Sequence, residues 1–224
     1  MKLYGFILAL AIFSTYFLPN ILTYIIIASL IYKILRDLHI IGEPAFTLGT
    51  IKKTDIYYIN LKGSYKKVTS YLKEVDIIYK KFNLDNNYNA YKFGLYYDDP
   101  KKVQQEDLRC ILGIGLTSCE NSNEINEYLV QQGWSKNTIP PTSAVITRMQ
   151  LLSYSFKSLA LIQYYKYLNK SLSDKEFVQR YKIKDTEKLP GIMEVYEKNQ
   201  ILFYIPCGNF DKFDFYKPNE VKKI

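Results

Sequence analysis

The chain has a single histidine, three cysteines and one tryptophan in 224 residues. With His39 alone, no Ser-His-Asp triad, Cys-His pair, HExxH helix or Cys/His zinc site can be assembled away from residue 39. Cys110, Cys119 and Cys207 are odd in number and lack CxxC spacing, which fits a reducing compartment better than a disulfide framework. Long charge blocks are missing too. The lysines come as scattered pairs, Lys52-Lys53, Lys66-Lys67, Lys80-Lys81, Lys101-Lys102 and Lys222-Lys223, and no RNP-type aromatic motif accompanies them. The net charge of +8 therefore reads as solvated faces with some attraction for an anionic leaflet, and no direct nucleic-acid partner is expected. "LGIGL" (112–116) has no third glycine and no helix behind it, so a dinucleotide fingerprint is absent, and no cofactor is expected.

What the chain does have is apolar mass, 48% hydrophobic and 16% aromatic residues, enough for a folded core. The first part differs from the rest. Leu3 to Tyr32 is a run of 30 residues without a charge, whereas a helix needs about 20 to cross the hydrocarbon layer. The run is too long for a signal-peptide core and has no small-x-small cleavage site, so it predicts a membrane anchor over 1–36. Pro19 marks a kink in one span or the tip of a shallow hairpin. Lys33 and Arg36 follow it, placing the C-terminal side in the cytosol by the positive-inside rule.

After a linker (37–53), residues 54–218 read as one α+β domain, followed by a short tail (219–224). "DIYYINL" (55–61) predicts a strand, and Tyr65, Val68, Leu72, Val75, Ile78 and Tyr79 recur at helical spacing. Strands at 90–97 and 108–116 come next, then a helix at 124–132 ending at Gly133, with Trp134 filling the core beneath it. The order repeats with a strand at 143–150, helices at 154–168 and 174–181, and strands at 191–197 and 200–206. Two strand-helix-strand-strand modules are expected, opening at Ser64-Tyr65 and Ser153-Tyr154, with Tyr97 matched to Tyr196 and Leu95 to Glu194. Paired modules would form an antiparallel sheet with helices on one face and a cleft at the seam.

Two places carry possible chemistry. In "YYDDPKKV" the adjacent acids Asp98 and Asp99 could be a metal site, an acid-base pair or a turn. Asp99 before Pro100 has the form of an N-cap, and no EF-hand pattern is present, so the turn is preferred. Glu194 lies in the otherwise apolar "GIMEVY", on one face with Ile192 and Tyr196 by period 2. There it either faces a cationic or hydroxyl-bearing ligand or sits at a wet edge.

"FGLYYDDPKKVQQEDLRCILGIGL", "GIMEVYEKNQILFYIPC" and "FDFYKP", spread over about residues 56–218, resemble the GyrI-like family of small-molecule-binding domains and its membrane-anchored, testis-expressed-264 branch. The resemblance implies a cleft in which Glu194 and Tyr196 contact a small cationic or aromatic ligand, with Tyr97 as the counterpart of Tyr196. Some bacterial members hydrolyse strained cyclopropane compounds, but no full catalytic set is recognised here and binding without catalysis is expected. For the anchored branch it implies a single-pass protein of the endoplasmic reticulum membrane, its domain in the cytosol, serving as an adaptor for the autophagy machinery or an AAA unfoldase. Reticulophagy receptors of that branch bind the autophagy modifier through a long acidic tail, which a chain ending at Ile224 does not carry.

Overall fold

A computed structural model of the protein describes residues 5, 7, 9–13, 20–37, 42–84, 90–117, 122–150, 157–183, 191–197, 200–207 and 213–224. Pro19, His39, Cys119 and the Ser153-Tyr154 pair lie outside the described residues. Two compact units are formed, one from Met1–Ala45 with Met149–Ser171, the other from Phe46–Arg148 with Leu172–Ile224.

The first unit contains helix α1 (Asn20–Asp37). Its Ile21, Tyr24, Ile25, Ile31 and Tyr32 side chains are exposed, and its last turn carries Arg36. Among the described residues no helix is long and apolar enough to cross a membrane.

In the second unit the chain runs through β1 (Phe46–Ile51), β2 (Thr54–Lys62), α2 (Val68–Lys81), β3 (Ala90–Tyr96), β4 (Arg109–Leu116), α3 (Ser122–Gln131), β5 (Ser135–Ile139) and β6 (Thr142–Gln150). After α4 (Lys157–Ser173), most of which belongs to the first unit, come α5 (Lys175–Arg180), β7 (Ile192–Tyr196), β8 (Gln200–Pro206) and β9 (Val221–Lys223). α4 buries Tyr164 and Leu168, one turn apart, and its Lys170 pairs with Glu43 at 3.0 Å.

The strands form one sheet in the order β1-β6-β8-β7-β3-β4-β2-β5, with β9 also on β2. Its six inner strands read β2-β4-β3 and β6-β8-β7. In each half the first strand lies beside the third and the third beside the second, and the halves meet at the antiparallel β3–β7 ladder. That is the strand order two strand-helix-strand-strand modules produce. The sheet is mixed, because β9 runs parallel to β2.

Three strands go beyond the expected set. β1 lies where the sequence reads as linker, β9 where it reads as tail, and β5 where polar "SKNTI" has no apolar alternation. The β1–β6 and β2–β5 pairings are halves of one broken ladder. Ile51 pairs with Thr142 and Thr54 with Ile139, so Lys52 and Lys53 fall opposite Pro141 and Pro140. Proline cannot donate to a ladder, and the two paired segments break there and continue at the other end of the sheet order.

Both faces of the sheet are covered. On one, Tyr57, Ile59 and Leu61 of β2 and Cys110, Leu112 and Ile114 of β4 pack with Val68, Val75, Ile78 and Tyr79 of α2 and Ile125 and Leu129 of α3. Gly133, at φ 77°, closes α3 in the left-handed conformation that glycine tolerates. It turns Trp134 back into this core, where it is buried. On the other face Ile56, Tyr58, Phe93, Leu95, Ile111, Met193 and Val195 pack against Ile51, Ile139, Ala144, Phe213 and Phe215. The alternation in β2 is thus apolar on both sides, which is why "DIYYINL" shows no polar period.

Candidate functional site

Residues facing one another across a ladder share a face, so the β3–β7 register sorts the candidate residues. Lys92 faces Tyr196, Gly94 faces Glu194, and Tyr96 faces Ile192. Gly94 and Tyr96 also face Leu112 and Cys110 of β4, which belong to the helix-covered core. Glu194 and Tyr196 are therefore on the helix side, near the middle of the sheet. Glu194 is 3% exposed.

The structure brings Glu194 and Tyr196 together and adds Tyr96. The hydroxyls of Tyr96 and Tyr196 lie 2.7 Å apart, and Tyr196 also hydrogen-bonds Glu194. A carboxylate can only accept, so while Glu194 is ionised Tyr196 donates to it and Tyr96 donates to Tyr196. Burial first, and then the charge of Glu194, holds both tyrosine hydroxyls well above the ordinary phenol range. They are neutral donors at physiological pH. The Cys110 thiol is likewise pushed up, first by burial and then by Glu194, which holds it in the neutral thiol form.

Gly94 makes room for this arrangement. A Cβ there would come within 2.9 Å of the Tyr196 hydroxyl and of Tyr96 Cε2, and within 3.0 Å of Leu112 Cδ2. The two hydroxyls meet over a position that has no side chain.

Tyr97 is placed on the opposite face. Its hydroxyl donates to the Phe213 carbonyl and accepts from the Phe215 N–H, both at 3.1 Å, and its ring packs edge-on against Tyr216. Tyr58 donates to the Phe215 carbonyl at 3.0 Å, and the Lys217 N–H donates to Asn60 Oδ1. Residues 213–217 are thus strapped across that face. The counterpart of Tyr196 across the β3–β7 seam is Tyr96, and that of Glu194 is Gly94. A twofold axis normal to a sheet keeps each residue on its own face, so the offset between the halves must be even. Matching by residue type alone gives the odd offset that selects Tyr97, and the parity of the strand was the signal that finds Tyr96.

The acid pair forms a turn. Asp98 accepts from the Arg109 backbone N–H at 2.7 Å and from its Nε and Nη2 at 3.0 and 2.8 Å. Asp99 Oδ1 accepts from the Lys101 N–H and its carbonyl from the Lys102 N–H, both at 2.9 Å. Arg109, held above its ordinary range chiefly by Asp98, lies over the rings of Tyr97 and Tyr216. Among the described residues no group of three or more His, Cys, Asp or Glu side chains could hold a metal.

No family model matches the chain, and no curated protein matches it. Among solved structures it is similar to the EcmrR C-terminal domain, at 15% identity over 73% of this chain and 96% of that one, TM-score 0.43. It is also similar to SAV2435 bound to tetraphenylphosphonium, at 10% identity over 75% and 96%, TM-score 0.46. A third is a hydrolase encoded by lin2189 from Listeria innocua, at 9% identity over 73% and 92%, TM-score 0.42. All three scores fall below one half, and the strand order and register stand independently of them.

Proposed function

We propose that this protein is a GyrI-like binding protein that takes a small lipophilic or aromatic cation at Glu194, Tyr196 and Tyr96 and releases it unchanged. The observation that carries the reading is an acid at 3% exposure on the seam of the two halves, beside two mutually hydrogen-bonded tyrosine hydroxyls and opposite a glycine. A buried carboxylate is favourable only with compensating donors and positive charge, and an aromatic cation adds charge to the acid and ring contact to the tyrosines. Turnover is not part of the reading, because both hydroxyls are held neutral and the one histidine is at residue 39. The test is a thermal-shift titration of the full chain with tetraphenylphosphonium, repeated on Glu194→Gln. A saturable rise in Tm that Glu194→Gln abolishes supports the reading; an equal rise in both proteins refutes it.

A second reading is supported by the charge-free run 3–32 and by the exposed apolar side chains of α1. In it the chain resembles testis-expressed protein 264: a single-pass adaptor of the endoplasmic reticulum membrane with its domain in the cytosol, working with autophagy machinery or an AAA unfoldase. Of three segments with the aromatic-x-x-aliphatic spacing of a receptor motif, Tyr65 to Val68 enters α2 and Tyr165 to Leu168 lies within α4, which argues against their use as strand-forming receptor motifs. Phe156, which opens the third at Phe156 to Leu159, lies outside the described residues. The test is protease digestion of a C-terminal tag in intact microsomes. Digestion supports the cytosolic adaptor, and protection excludes it. Asn169 of the "NKS" acceptor is half-buried within α4, so the tag is the better reporter.

A further inference from the structure

Helix α2 has a surface that its packing leaves unused. Val68, Val75, Ile78 and Tyr79 face the core. The other side exposes Lys66 and Lys67, in the turn that leads into the helix, and then Ser70, Lys73, Ile77, Lys80 and Lys81. Positions 66, 70, 73, 77 and 80–81 follow the spacing of one helical stripe. Two acids lie on the same helix. Glu74 is exposed, and Asp76 is occupied by Lys92 at 2.7 Å. Among the described residues none of the five lysines is in an ion pair; Lys81 lies over the Tyr128 ring at 3.5 Å. Among these lysines sits Ile77, 68% exposed.

We propose that this stripe docks the domain on an anionic lipid surface, with the lysines at headgroup phosphates and Ile77 inserted between them. An exposed isoleucine inside a basic stripe decides between the anionic partners. A nucleic-acid backbone would be served by the lysines alone, whereas a bilayer surface rewards both the charge and the buried aliphatic group. The same chain carries the charge-free run 3–32 followed by Lys33 and Arg36, which is membrane-directed chemistry in its own right. The inference goes beyond the ligand-site reading and does not depend on Glu194.

The experiment is lysine acylation read by mass spectrometry on the full chain, bound either to phosphatidylcholine vesicles or to vesicles in which about a third of the lipid is phosphatidylserine. Anchoring by the N-terminal run would hold the chain on both vesicles alike, so only the stripe produces a difference between them. Lys66, Lys67, Lys73, Lys80 and Lys81 are expected to label several-fold more slowly on the anionic vesicles, and high salt is expected to erase the difference. Lys52, Lys53, Lys101 and Lys102, exposed elsewhere, serve as references and are expected to be unchanged. Each lysine at such a surface contributes about fivefold in partitioning, so a folded Lys73→Glu/Lys80→Glu variant is expected to lose the protection, and Ile77→Ser to weaken it. Equal labelling on the two vesicles, protection that survives the double reversal, or stronger protection by a DNA duplex than by the anionic vesicles would each overturn the proposal.

Discussion

On the helix-covered face of the sheet the hydroxyls carried by β3 and β7 meet each other: Tyr96 meets Tyr196 at 2.7 Å, beside Glu194, while Tyr79 of α2 donates to the Ala90 carbonyl. On the opposite face Tyr58 and Tyr97 bind the main chain of Phe213 and Phe215. The residue type is the same and Tyr96 and Tyr97 are chain neighbours, yet the consequences differ. A hydroxyl bound to backbone fixes a segment and can be displaced only by moving that segment. A hydroxyl bound to an acid and a second hydroxyl can exchange partners when a ligand arrives, at little cost to the fold. In the proposed reading the Tyr97 contacts are scaffold and the Tyr96–Tyr196–Glu194 group is adjustable.

Alkali is expected to have the largest effect and to act on both faces at once. Tyr58, Tyr65, Tyr91, Tyr96, Tyr97 and Tyr196 are all raised from 10.0, chiefly by burial, Tyr91 to about 12. Because the folded values lie above the unfolded ones, their contribution to stability is intact below pH 10 and is lost as pH rises beyond it. The tyrosinate absorbance of these residues should therefore rise only with the loss of circular dichroism, above about pH 10, as a step distinct from that of the chain's exposed tyrosines. Ionisation of all 22 tyrosines ahead of any loss of circular dichroism would show that these hydroxyls are not buried in the native state.

Single substitutions separate the faces. Phe213→Ala removes a fully buried ring from the strap and should cost about 3–5 kcal/mol in urea unfolding. Gly94→Ala drives a methyl group against the far ends of Tyr96 and Tyr196. It should cost about 1–3 kcal/mol and also abolish the tetraphenylphosphonium shift, a coupling that Phe213→Ala does not test. Tyr97→Phe takes one of two acceptors from the Phe215 N–H, which keeps the Phe213 carbonyl, and one donor from that carbonyl, and should cost about 1 kcal/mol; a neutral result would mean that the strap does not depend on that hydroxyl.

Much of this was legible in the sequence. The six inner strands, α2, α3 and the Gly133-Trp134 closure follow from apolar period and capping chemistry, because those elements bury enough of their own side chains to declare themselves. β1, β5 and β9 do not. "FTLGTI", "SKNTI" and "VKK" are short and largely exposed, and what makes them strands is backbone pairing to β6 and β2, which leaves no pattern in side-chain type. At the site, Glu194 and Tyr196 were visible as polar groups in an apolar strand. Tyr96 was not, because it resembles its neighbour in everything except parity, and Gly94 shows its purpose only once the two tyrosines are seen to meet above it.

The central claim is that the ligand-responsive face is the one holding Tyr96, Tyr196 and Glu194. Its most direct test is isothermal titration of tetraphenylphosphonium into the wild-type chain, Tyr96→Phe and Tyr97→Phe. Tyr96→Phe, which removes the hydroxyl that holds Tyr196 beside Glu194, is expected to bind several-fold more weakly, and Tyr97→Phe to bind as the wild type does despite its lower stability. Weakening by Tyr97→Phe with Tyr96→Phe unaffected would contradict it and move the site to the strapped face.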